Sequence, residues 1–298
     1  MLPITDTHQH LWDRRRLQLP WLAGVSTLNR DYLITDYLKA IQGQGIHRSV
    51  YVEVDVTVEQ RGLEVELIAE FCKKPNLPVK AIVASADPLS DDFEAQFERL
   101  RAVEYVRGVR RVLHTPETPA RYCLSAQFVN GVRRLGEAGL TFDLCMRPGE
   151  LKDAAELAHR CPGTQFIVDH CGNADPLAVE AYLAPGAERG QASLNHVKIW
   201  AEGMQAIAAL PNTVCKLSGV VASLPPQADL VRLGATLEKC IDWFGIERVM
   251  FGSDWPVCTL RAELGQWVQT LRRVLSKRSA ADAGRVLDEN AVRVYRLD

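Results

Sequence analysis

Asp6-Thr7-His8-Gln9-His10 places two imidazoles two residues apart behind an apolar lead-in. In an extended strand residues i and i+2 point to the same face, so His8 and His10 converge on one point. Two imidazoles meeting at the carboxyl end of a strand can hold a metal ion or polarise a substrate oxygen. A polar N-terminal arm also produces such a pair by chance, so its meaning depends on what other elements bring beside it. Groups able to do chemistry recur along the chain: Glu53 and Asp55, Arg110, Arg111 and His114, Asp143 and Arg147, Asp169 and His170, Lys216 and Ser218. The last is Phe251-Gly252-Ser253-Asp254-Trp255-Pro256, where an apolar run meets an acid, then a bulky aromatic and a proline that ends strand pairing. Asp254 is the strongest single candidate. Each group has a plain structural alternative: ion pairs for Arg110 and Arg111, solvation for Lys216, a turn cap for Asp169.

These groups fall at the ends of regularly spaced elements. Apolar runs of strand length occupy 4–10, 48–56, 79–86, 106–114, 141–147, 165–171, 213–219 and 248–254. Helix-period segments lie between and after them at 59–73, 91–103, 125–138, 150–160, 196–209, 228–244 and 261–276. Eight alternating units predict an α/β fold, a (β/α)8 TIM-type barrel, regular or distorted, forming one domain over residues 1–298. An open doubly wound sheet is the runner-up, but no Gly-x-Gly-x-x-Gly or Walker loop follows any strand. In such a barrel the active site lies at the C-terminal strand ends, where these polar groups gather. The long connections 11–32 and 172–195 are expected on that face, and with 115–124 they would select the substrate.

Composition narrows the partners. Thirty-five Lys+Arg against 37 Asp+Glu give a formal net charge of −2, so no basic surplus argues for nucleic acid or an anionic membrane. No apolar run would span a bilayer, and Asp6 and His8 follow the start too closely for a signal peptide, so a cytoplasmic enzyme acting on a small molecule is expected. Self-association stays open. The eight cysteines are scattered without Cys-x-x-Cys and read as reduced core thiols; Cys145, Cys171 and Cys215 near strand ends are not taken as nucleophiles.

Five motifs carry a family resemblance: Asp6-Thr7-His8-Gln9-His10-Leu11-Trp12-Asp13, Asn29-Arg30-Asp31-Tyr32-Leu33, Val168-Asp169-His170-Cys171-Gly172, Cys215-Lys216-Leu217-Ser218-Gly219 and the Phe251–Pro256 run. In this order, over nearly the whole chain, the sequence resembles the sugar-lactonase-like branch of the amidohydrolase superfamily (amidohydrolase 2 type). That branch contains fuconolactonases, rhamnonolactonases and a pyrone-dicarboxylate lactonase. The His-x-His opening and Gly-Ser-Asp-Trp-Pro close are shared with the superfamily's decarboxylases; the N-terminal octet and the Lys-Leu-Ser-Gly strand are narrower.

The resemblance implies a hydrolase that opens the lactone of a sugar acid or related carboxylated compound. Its chemistry needs a base for water, donors or a Lewis acid on the carbonyl oxygen, and an acid for the leaving alkoxide. Asp254 would activate water, and His8, His10 and His170 would polarise the carbonyl, directly or through one divalent metal, zinc before others. The metal ligands would be His8, His10, His170 and Asp254. A binuclear site is not expected, because the resemblance calls for a bridging lysine on the fourth strand and a histidine on the fifth, where this chain has Arg110, Arg111 and Asp143. No organic cofactor is expected. Arg110, Arg111, Glu53, Asp143, Lys216, Trp12 and Trp255 are candidate substrate contacts, with only one of the two arginines able to face the barrel interior. Trp21 and Trp200 read as core or rim. The second reading is a metal-dependent lyase that decarboxylates an aromatic or unsaturated acid.

Overall fold

The computed structural model describes residues 1–184 and 191–297. Eight parallel strands pair in sequence order: β1 (Ile4–Gln9), β2 (Ile46–Val52), β3 (Val79–Ser85), β4 (Val106–Val112), β5 (Thr141–Cys145), β6 (Phe166–Val168), β7 (Thr213–Leu217) and β8 (Val249–Phe251). Just past β8, the Asp254 amide donates to His8 O at 2.7 Å and the His10 amide donates to Trp255 O at 2.8 Å, so the last strand end meets the first. This is the expected (β/α)8 barrel.

Alternation along the strands sorts side chains into two layers. Val50, Val52, Ala81, Val83, Ile167, Val214 and Met250 point inward and form one apolar cluster. Tyr51, Ile82, Phe142, Leu144, Phe166, Leu217 and Phe251 point outward under the helices. The helix Leu264–Leu275 shows the reason these segments are helical: Leu264, Trp267, Val268, Leu271, Val274 and Leu275 recur at helical spacing and are all buried. The helix Asn290–Tyr295, which has no counterpart among the expected elements, contributes Ala291, Val294 and Tyr295 to the inward cluster and closes the barrel floor. It continues the helical run Ala280–Gly284 and Arg285–Glu289, whose middle segment is a π turn that breaks the 3.6-residue period.

The strands end earlier than their apolar runs suggest. His10, Glu53, Asp55, Asp169, His170, Ser218 and Asp254 all lie just past the last residue of their strands. Asp55, His170 and Asp254 adopt left-handed backbone with φ of 51°, 54° and 56°, a conformation that turns each side chain away from its strand path. The 172–195 connection is not one loop: it holds the helix Pro176–Leu183, N-capped by Asp175, and the next helix starts at Gln191; residues 185–190 lie outside the described residues. In 11–32 the chain makes short turns at Pro20–Gly24 and Ser26–Leu28, tied back by a bridge between Trp12 and Tyr32. Among the described residues no helix is long and apolar enough to cross a membrane. All eight cysteines are free and buried.

Candidate active site

Strand alternation on β4 decides between the two arginines. Arg110 points into the barrel and is buried, while Arg111 points outward and pairs with Asp87 at 3.1 Å. Arg111 is therefore removed from the candidate substrate contacts. Arg110 is held by Glu53: its Nε donates to the Glu53 carboxylate and its Nη2 to Glu53 O at 2.8 Å. Glu53 is thus the arginine's ion-pair partner.

Lys216 and Asp143 form a fully buried pair deep in the barrel. Lys216 Nζ also lies 3.2 Å from Asp169 Oδ1 and 3.4 Å from His8 Nδ1. Neither Lys216 nor Asp143 lines the cavity above; both are fully buried beneath it. Burial raises the Asp143 carboxyl to about 7 against the pull of the Lys216 ammonium. Burial also raises Asp169, but Lys216 and His8 outweigh it and hold this carboxyl well below its ordinary value. Asp169 is the junction of the site, within 3.5 Å of His8 Nδ1 and 3.6 Å of Arg110 Nη1. The sequence marked Asp169, beside His170, as a strand-end group able to do chemistry, with a turn cap as the alternative, and gave it no role in the site.

Above this layer the histidines and Asp254 converge. His10 Nε2 and His8 Nε2 lie 3.4 and 3.8 Å from Asp254 Oδ1, and the His8 and His170 rings are 4.5 Å apart. Asp254 is held through its neighbour: the Asp6 carboxylate accepts from the Ser253 amide at 2.7 Å, the Ser253 hydroxyl at 2.6 Å and the Tyr37 hydroxyl at 2.8 Å. Burial lowers His8 well below its ordinary value, although Asp169 opposes this, and burial lowers His170 against the pull of Asp254. Both rings are neutral at pH 7.

Hydrogen bonds assign the tautomers. His10 Nδ1 faces Val52 O at 2.7 Å and must donate to it, which turns Nε2 toward Asp254. Ser218 Oγ accepts from the His170 amide at 3.2 Å, so its hydroxyl hydrogen is free to donate to His170 Nδ1 at 3.0 Å, making Nε2 the N–H. Gly219 makes room for that ring: its φ is 69°, and a Cβ there would meet His170 ring atoms at 2.3 Å.

A cavity of about 380 Å³ opens over this group. Its walls include Trp12 and Trp21, whose indole N–H groups donate to Arg30 O and Val54 O at 2.6 and 2.8 Å. Trp255 is not in the wall; it is buried behind it against Tyr32 and Tyr37, while Trp21, read as core or rim, takes a place in the lining. Asp55, His114, Cys145 and Asn173 also line the cavity. Asp55 and His114 stood at expected strand ends; Asn173 reaches the pocket only through the left-handed turn after β6, which no spacing rule predicts.

The amidohydrolase family model matches residues 5–297. This chain belongs to the amidohydrolase family. An L-fucono-1,5-lactonase of Burkholderia multivorans is 28% identical over 299 residues, covering 98% of this chain and 95% of the relative. An L-rhamnono-gamma-lactonase of Scheffersomyces stipitis is 24% identical over 305 residues, covering 87% of each. A crystal structure of an amidohydrolase from Burkholderia multivorans with bound zinc superposes with a TM-score of 0.83 at 26% identity, covering 99% of this chain and 100% of the other.

The amidohydrolase site here fits one divalent ion. Ligand atoms of His8, His10 and Asp254 lie within 4.8 Å of one another, and two nitrogens with one carboxylate oxygen suit zinc. The Val52 carbonyl behind His10 leaves the ring nitrogen that faces Asp254 available as a ligand. His170, expected as a fourth ligand, groups instead with His8 and Asp169.

Proposed function

We propose that this amidohydrolase opens the ring of a neutral sugar-acid lactone. The observation that carries the reading is the approach of the Asp254 carboxylate to His10 and His8 under a 380 Å³ cavity that His170 also lines. The relatives named as lactonases support the same reaction class.

Each role follows from the geometry. Asp254 accepts a proton from the attacking water and returns it to the leaving ring oxygen. His170 Nε2–H donates to the lactone carbonyl oxygen, where negative charge develops in the transition state. His10 Nδ1 donates to Val52 O, so Nε2 is the atom it turns toward Asp254 and would offer to a metal ion. A metal ion held by His8, His10 and Asp254 would supply Lewis-acid polarisation and acidify water. Asp169, fixed between Lys216 and Arg110, orients His8.

Charge selects a neutral substrate over a dicarboxylate. Arg110 is the one cationic side chain among the described residues lining the cavity, and Glu53 already neutralises it. Asp55 and Asp254 make the walls acidic, which suits hydroxyl donors and repels a second carboxylate.

A panel of neutral aldonolactones and dicarboxylate lactones followed with a pH indicator tests the reading. Acid release is expected from the neutral lactones, with Asp254→Asn lowering kcat by roughly 10²- to 10⁴-fold while the far-UV spectrum is unchanged. Absence of acid from every lactone overturns the proposal; carbon dioxide from aromatic carboxylates would establish the lyase instead.

A further inference from the structure

Two cavity-lining residues have no role in that reaction. Cys145 ends β5, and His114 lies two residues beyond β4, exposed at the cavity mouth. Cys145 Sγ is 3.3 Å from His114 Nδ1, and both line the cavity that holds His170 and Asp254. One proton must lie between sulfur and nitrogen. A thiol sulfur is a weak acceptor while a neutral imidazole nitrogen is a good one, so S–H donating to Nδ1 is the stronger arrangement. Burial pushes the Cys145 thiol well up, so it keeps its proton at neutral pH. Burial, with His170 and Arg110 nearby, lowers His114, so that ring is neutral and Nδ1 is free to accept. A ring accepting at Nδ1 carries its hydrogen on Nε2.

We propose that Cys145 sets the tautomer of His114 so that Nε2–H is presented to the cavity and donates to an oxygen of the bound lactone. His114 is then a specificity-determining contact and Cys145 its positioning residue. The substrate half of this inference rests on the lactonase reading. The thiol itself is no reagent, being 1% exposed and protonated. Its value is that it orients without competing: unlike a carboxylate in the same place, it adds no charge to draw a proton onto the ring.

The experiment is 15N NMR on histidine-labelled full-length protein, with the His114 signals assigned by their loss in His114→Gln. An Nε2–H tautomer is expected in the wild type and in Cys145→Ser, and a shift toward Nδ1–H in Cys145→Ala. With a hydrolysed aldonolactone, Cys145→Ala raises KM roughly two- to tenfold, the effect of one hydrogen bond, while kcat stays within about twofold. Cys145→Ser recovers most of that loss. An Nδ1–H tautomer in the wild type, or serine and alanine variants that behave alike, overturns the proposal. If the wild type hydrolyses no lactone, the reaction reading and the substrate contact fall together, while the NMR still decides the tautomer.

Discussion

Glu64 offers a test of the electrostatics beneath the pocket wall. It sits on the helix Arg61–Cys72, fully buried, and its Oε1 accepts from the Tyr51 hydroxyl and the Val54 amide, both at 2.8 Å. Among the described residues no hydrogen-bond partner meets Oε2. Burial, with Glu53 nearby, raises this carboxyl from 4.5 to about 8. A carboxyl raised in the folded state contributes most below pH 4.5, where both states hold the proton. Between 4.5 and 8 only the unfolded chain releases it, and stability falls by about 1.4 kcal/mol per pH unit. Glu64→Gln keeps an acceptor for Tyr51 and Val54 and cannot titrate. Its stability relative to wild type should therefore improve by roughly 3 kcal/mol between pH 5 and pH 7.5, on top of a constant offset. At an m value of about 3 kcal/mol/M, urea melts would show the gap between the two midpoints moving by roughly 1 M. A gap that is constant with pH, or that moves the other way, would mean Glu64 is ionised in the fold and would sink the reasoning.

Lys216→Met leaves Asp143 buried without its cation and Asp169 with Arg110 alone, and should cost about 3–5 kcal/mol in urea unfolding; adding Asp143→Asn should restore part of it. Arg111→Ala breaks a part-exposed pair with Asp87 outside the barrel, so KM should not move and stability should drop by at most about 1 kcal/mol. Titration calorimetry of chelator-treated protein with zinc should show one site, which His10→Ala weakens at least roughly tenfold; unchanged affinity would place the ion elsewhere.

Much of the site was legible because chemistry in this fold sits at strand ends. His8, His10, His170 and Asp254 each close an apolar run, and the structure gathers all four at the base of one cavity, which His10, His170 and Asp254 line. The closing distance from Asp254 to the N-terminal histidines spans almost the whole chain, yet eight alternating elements were enough to predict it. What was not legible depended on side-chain direction and backbone turns. Lys216 and Asp143 read as substrate contacts because both carry charge at strand ends, but pairing in the layer beneath the histidines withdraws them from the cavity. Trp255 and Trp21 exchanged their expected places because the turn after β8 aims Trp255 at Tyr32 and Tyr37.

The sequence alone determined the number and order of elements, the inward histidines and the acid that meets them, since periodicity and strand-end position are local properties of the chain. Tertiary structure decided which arginine faces inward, which partners the ring nitrogens of the site histidines meet and which charges are already neutralised. Those depend on contacts such as Glu53 with Arg110, Ser218 with His170 and Cys145 with His114, between residues that only barrel closure and the left-handed turns bring within hydrogen-bond reach.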